Sequence, residues 1–225
     1  VNYQVCAPAP NATVCDTATL TVTASAADMS AALGATTPAV VSPGQVITGL
    51  TATCTNIGAG AATNATCVPS VSAGTISALT CVPASPQASL AVNGTIVCTY
   101  TYTAPGTAGG ADEATTSVTF TATTGATNDS VPANNVATQA TPVIDAVNDV
   151  AGQPGGTVGA TTNLATNDQF PVGSVFTIQP GSTCVAPVSV SPAGVATYSM
   201  PASGSCTVNY QVCAPAPNAT VCDTA

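Results

Sequence analysis

The 225-residue chain contains no lysine, no arginine, no histidine and no tryptophan. Each absence closes off a chemistry. Without basic side chains there is no positive surface to hold nucleic-acid phosphates or anionic lipid. Without histidine there is no Ser-His-Asp triad, no Cys-His pair and no histidine zinc ligand. Without lysine there is no Schiff base, no phosphate-loop lysine and no Lys–Asn cross-link. The only charged side chains are nine carboxylates, for a net charge of −9, so no side-chain salt bridge can form. Stability must come from burial, backbone pairing and disulfides. The composition argues against an enzyme. It also predicts weak acid denaturation, because in acid the chain approaches neutrality instead of becoming strongly positive.

Little charge together with 19 glycines and 18 prolines can mark a disordered coil. Here 45% of residues are hydrophobic and the mean hydropathy is +0.41, too apolar for a solvated chain. The apolar residues are mainly Ala and Val, which suit thin, tightly packed strands. No apolar run approaches the length of a membrane span. The N-terminus carries no secretion signal and begins inside a strand-like pattern, so a piece of a longer or processed chain is expected.

Residues 1–18 read VNYQVCAPAPNATVCDTA, and residues 208–225 repeat them without a change. Chance does not produce eighteen identical residues. The strand that continues after Ala18, TLTVTA over Thr19–Ala24, has no second copy. The expectation is a tandem array of 207-residue units (208 minus 1). Residues 1–25 are then the closing hairpin of a preceding domain. A local duplication of one hairpin is the weaker alternative.

Stretches such as SVTFTATT (Ser117–Thr124) and TIVCTYTYT (Thr95–Thr103) alternate with period two, and Pro and Gly punctuate the chain every eight to twelve residues or so. No stretch has helical spacing with caps. The chain reads as all-β, with two immunoglobulin-like β-sandwiches per repeat. Residues 26–142 form the first, with strands expected at Met29–Leu33, Gln45–Thr55, Thr63–Val68, Thr75–Cys81, Thr95–Thr103, Ser117–Thr124 and Asn135–Thr141. Residues 143–225 form the second, lacking its last strand. Tyr100, Tyr102, Tyr198 and Tyr210 all fit core positions.

The segment ADMSAALGATTPAVVSPGQ, followed by TATCTNIGAGAATNATC, resembles the bacterial "conserved repeat" immunoglobulin-like domain, with its T-N-x-G-x-x-x-A-x-N-x-T pattern. DAVNDVAGQPGGTVGATTNLATNDQF and the closing VNYQVCAPAPNATVCDTATLTV resemble the cadherin-like and fibril-type repeats of bacterial surface proteins. These resemblances imply long adhesins, stalks or extracellular fibres, whose partners are identical neighbouring repeats or subunits, and no catalysis.

Cys6 and Cys213 are one site in successive repeats, as are Cys15 and Cys222, so the ten cysteines represent eight distinct sites. An even count in such a chain reads as a disulfide framework. No CxxC spacing favours a metal. Strand alternation places Cys6 and Cys15 on the outer face of one hairpin, predicting Cys6–Cys15 and Cys213–Cys222. Cys184–Cys206 follows by elimination. Cys54, Cys67, Cys81 and Cys98 allow three connectivities, of which the sequential one, Cys54–Cys67 with Cys81–Cys98, is favoured.

Asp145, Asp149 and Asp168 near the expected domain junction are the candidates for calcium, which needs six to eight oxygens. Asn148-Asp149 and Asn167-Asp168 read more simply as turns. Asp112 and Glu113 are adjacent carboxylates in a Gly-rich loop, better read as solvated charge than as a glycosidase pair. Asn11, Asn64, Asn93, Asn128 and Asn218 begin Asn-x-Ser/Thr sequons, with Asn93 and Asn128 the glycosylation candidates because they fall in expected loops. The favoured function is mechanical, a repeat of an extracellular or cell-surface fibre with a period of roughly 70–90 Å. The alternatives are a module binding a glycan or protein receptor, and a subunit that polymerises by donating a β-hairpin.

Overall fold

The computed structural model describes residues 1–225. Strands hold 48% of them and helix 3%, so the chain is all-β. Residues Asn2–Cys6 (β1) and Cys15–Thr19 (β2) form a hairpin that joins no other sheet. Next come β3 (Met29–Leu33), β4 (Val46–Asn56), β5 (Ala62–Val71), β6 (Thr75–Val82), β7 (Gln87–Leu90), β8 (Thr95–Thr103), β9 (Ser117–Gly125) and β10 (Val136–Pro142). They make two four-stranded antiparallel sheets, ordered β3-β4-β8-β6 and β10-β9-β5-β7. The remainder is β11 (Ala160–Asn163), β12 (Val175–Ile178), β13 (Val185–Val190), β14 (Val195–Ser199), β15 (Tyr210–Cys213) and β16 (Cys222–Thr224). These form two three-stranded sheets, β11-β14-β13 and β12-β15-β16.

Alternation explains the pairing of faces. Along β8, Ile96, Cys98, Tyr100 and Tyr102 are buried, and the threonines between them look outward or lie half-buried. Along β9, Val118, Phe120, Ala122 and Thr124 point inward. The two inner faces meet in a core of 19 buried residues. At its centre the Tyr102 and Phe120 rings meet edge to face, 4.8 Å between centroids, an arrangement favoured by the ring quadrupoles. A second core of 11 buried residues gathers Ile144, Leu164, Phe176, Tyr198, Tyr210 and Val212.

The sequence boundary at residue 142 is not a clean break. Val40, from the loop between β3 and β4, belongs to the second core. Its neighbour Val41 bridges Val143 in parallel, and the Ile144 amide donates to the Val41 carbonyl at 2.7 Å. The 143–148 segment is zipped on its other side as well, where the Asp145 and Gln169 amides each donate to the other's carbonyl at 2.8 Å, and a Gly110–Val147 bridge holds its far end. Backbone hydrogen bonds on both sides of a connecting segment make it a stiff joint.

Candidate functional site: one hairpin in two environments

The repeated sequence folds identically at both ends but is packed at only one. The pairings Gln4–Thr17, Val5–Asp16 and Cys6–Cys15 recur 207 residues on as Gln211–Thr224, Val212–Asp223 and Cys213–Cys222. In the second copy, β15 also pairs with β12, from Val175–Cys213 to Ile178–Tyr210. In the first copy the matching edge of β1 is free. Tyr3 is 52% exposed and Val5 64%, whereas their counterparts Tyr210 and Val212 are 2% and 0% exposed. Val1, Leu20 and Val22 extend the same open apolar surface. Local propensity and the disulfide therefore suffice for the hairpin, and burial requires a body such as residues 143–207 to receive it.

The docked copy is anchored by a carboxylate that sequence reading overlooked. Asp223 is 2% exposed. Its Oδ1 accepts from the Gly109 amide at 3.1 Å and its Oδ2 from the Ala146 amide at 3.1 Å. It thus ties the closing hairpin to both the 104–116 loop and the connecting segment. The signal lay in parity: Asp16, its copy, shares the inward face of Ala18 and Leu20. Buried Asp145 makes a parallel tie, its Oδ2 accepting from the Glu113 amide at 2.8 Å. The Glu113 carbonyl in turn accepts from Gln169 Nε2 at 2.8 Å.

The calcium candidates do not assemble into a cation site. Asp145 lies with Asp223, whereas Asp149 and Asp168 share the Tyr210 hydroxyl, at 3.3 and 2.9 Å. No three carboxylates are arranged to hold a metal ion. One oxygen of each accepts from an N–H or O–H donor, as Asp168 Oδ1 does from the Val147 amide at 2.8 Å, while Asp145 Oδ1 and Asp168 Oδ2 are buried without a partner. In this arrangement Asp145 and Asp168 accept from loop amides, and Asp149 accepts only from the Tyr210 hydroxyl.

Burial pushes the Asp168 carboxyl up to about 6, against the pull of the Val147 amide and the Tyr210 hydroxyl, with Asp149 and Asp145 adding repulsion. Burial likewise raises Asp145, reinforced by the Asp223 and Asp112 charges and opposed by the Glu113 amide. It raises Asp149 too, opposed by Tyr210. Geometry agrees. The Tyr210 oxygen faces the Val147 carbonyl and two carboxylates, and its single hydrogen serves only one of them. A proton on Asp168 relieves the conflict.

A carboxyl raised on folding holds more protons in the native than in the unfolded chain. Its contribution is fully present below about pH 4, the unfolded value, and is lost as pH rises through about 6. The melting temperature is therefore expected to be higher at pH 4.5 than at pH 8 by about 3–6 °C. Asp168→Asn, which keeps the Oδ1 acceptor, should flatten much of that difference. Calorimetry across this range checks both, and a melting temperature that falls steadily from pH 8 to 4.5 contradicts them.

The structure joins the ten cysteines as Cys6–Cys15, Cys54–Cys67, Cys81–Cys98, Cys184–Cys206 and Cys213–Cys222, with none left free. These are the five pairs favoured from the sequence. Five disulfides are the mark of a non-reducing compartment. Asp112 is exposed, while Glu113 is built into the junction, its Oε1 accepting from the Thr115 amide at 2.9 Å. Asn93 sits exposed at the β7–β8 turn with φ 59°. Asn128 is exposed, but its Nδ2 donates to the Ala61 carbonyl and its Oδ1 accepts from the Thr63 amide, both at 2.9 Å. A glycan on Asn128 would have to break that clasp. No helix is long and apolar enough to cross a membrane. No protein-family model and no curated protein sequence matches the chain.

Proposed function

We propose that this chain is a structural repeat of an extracellular bacterial fibre or giant surface adhesin, giving length, stiffness and attachment. Its two parts are read as immunoglobulin-like sandwiches of conserved-repeat and cadherin-like or fibril type. The observation that carries the reading is one eighteen-residue sequence found both as a bare hairpin and as the closing hairpin of a packed core. A bare hairpin with an apolar face is what the trailing edge of a preceding repeat presents when its own body is elsewhere. The doubly hydrogen-bonded joint at residues 143–148 supports a rod that transmits load instead of bending freely. Stability from disulfides and burial, with no salt bridge to screen, suits an exterior of variable ionic strength.

The free edge of β1 favours one second reading, a discrete subunit that donates its hairpin to a neighbour. The mass of the native material under reducing, denaturing conditions separates the two. Many multiples of the 207-residue unit are expected. A mass near 21.5 kDa overturns the tandem reading and makes the N-terminal hairpin the polymerising device.

A further inference from the structure

The second core is open along one side. A cleft of about 380 Å³ runs between its sheets, lined by Leu164, Ala196, Tyr198, Met200, Val208 and Tyr210, and it reaches Ala225. Beside it the chain at 206–209 is extended but paired on one side only. Thr207 and Asn209 donate to Thr183 Oγ1 and Ser182 Oγ, at 2.9 and 3.0 Å, and the Thr207 carbonyl accepts from the Thr183 amide at 2.8 Å. The amides and carbonyls of Cys206 and Val208, which alternate with these, have no backbone partner. A cleft lined by apolar side chains and edged by unpaired backbone groups is a slot for a strand.

We propose that the strand filling this slot is the Thr19–Ala24 sequence of the next repeat, entering directly after Ala225. The N-terminal hairpin supplies the register. There the Val1 ammonium donates to the Leu20 carbonyl at 2.8 Å and the Leu20 amide to the Val1 carbonyl at 2.7 Å. Val1 corresponds to Val208, so the recurring Leu20 pairs with Val208, and the recurring Val22, two residues on, pairs with Cys206. The same ladder is already running toward the slot, since Tyr210 and Ala225 exchange amide–carbonyl bonds of 2.9 and 3.1 Å. Leu20 and Val22 share the face of Ala18. Ala225, the counterpart of Ala18, lines the cleft, so both apolar side chains point into it. Leu20 and Val22 are 54% and 77% exposed where they stand, and the slot is where that exposure ends. The open slot stands on geometry alone; only the source of the strand rests on the repeat reading.

The test appends residues 19–25 to the C-terminus of the full 225-residue chain and compares it with the parent by amide exchange. The Val208 and Cys206 amides are expected to exchange about tenfold or more slowly in the extended chain, and the melting temperature to rise by roughly 5 °C. The same extension carrying Leu20→Asp and Val22→Asp should restore parental exchange, because its two charges would enter an apolar cleft. The proposal is overturned if the extension leaves both amides unprotected, or if the double-aspartate extension protects them equally. Contacts from the appended leucine methyls to the Tyr198 ring, read by nuclear Overhauser effects, provide a second measure that does not depend on stability. Protection without native tandem mass would fail the fibre reading alone, and tandem mass without protection would fail only this one.

Discussion

Asn56→Ala is expected to cost about 4 kcal/mol, the upper range for a single substitution. Asn56 ends β4 and is 0% exposed. Its Nδ2 reaches the carbonyls of Gly60, Leu90 and Ala91, at 2.9, 3.1 and 3.1 Å. Its Oδ1 accepts from the amides of Asp28 and Gly58, at 3.3 and 3.2 Å. One side chain therefore satisfies the backbone of three loops at the same end of the first core. Alanine leaves those groups facing a cavity that offers no replacement, and each unsatisfied buried group costs about 1–3 kcal/mol. Asn56→Asp keeps the acceptor but loses both donors and buries a charge, in a chain with no cation to pair it. It should be at least as damaging. Urea unfolding reads both as a lower midpoint with an unchanged slope. A loss below about 1 kcal/mol for alanine would show that water replaces the amide.

The same neighbourhood gives the T-N-x-G-x-x-x-A-x-N-x-T pattern a physical content. A Cβ on Gly58 would collide with the backbone of Ala26, Ala27 and Asp28, and one on Gly60 with the carbonyl of Ser25. Ala62 is fully buried. Asn64 sits at φ 54°, in the left-handed region that asparagine tolerates better than most residues. The pattern thus records a loop pressed against the 25–28 segment and pinned by one amide.

Strands of the first core such as β8 and β9 were legible because apolar residues alternate with Thr along them. The expected Gln45–Thr55 and Thr95–Thr103 correspond to β4 at Val46–Asn56 and β8 at Thr95–Thr103. β7 was not legible. Its four residues lie between Pro86 and the Asn93-Gly94 turn, too short to show a period. In the second core, β11 and β12 are also four residues long, and their order in the sheets is set by long-range pairing that no local pattern encodes. The disulfides of the hairpins were legible from parity. The roles of Val40 and Asp223 were not, because each reaches across the joint to a partner far along the chain, Asp223 lying 114 positions from Gly109.

Removing the Cys54–Cys67 bridge with paired alanines should cost about 4 kcal/mol, whereas removing Cys6–Cys15 should cost under about 0.5 kcal/mol. Cys54 lies on β4 and Cys67 on β5, so this bond staples the two facing sheets of the first core. Both sulfurs are buried. The bond closes a separation of 13 residues, worth about 3 kcal/mol in chain entropy, and the vacated sulfurs add a cavity cost of about 1 kcal/mol. Cys6–Cys15 closes 9 residues, as does Cys213–Cys222, so loop length alone would make the two hairpin bridges equal. Environment separates them. In the isolated chain β1–β2 packs on nothing, and its loss leaves both cores untouched. β15–β16 supplies Tyr210, Val212 and Asp223 to the second core, so losing its bridge should cost about 2–3 kcal/mol of that core's stability. Calorimetry of the three paired variants, with mass under non-reducing conditions to verify the remaining bridges, reads the differences. Equal costs for the two hairpin bridges would mean that docking adds nothing to the hairpin. One sequence in two settings would then have no energetic meaning, and the argument for a repeating fibre would lose its physical basis.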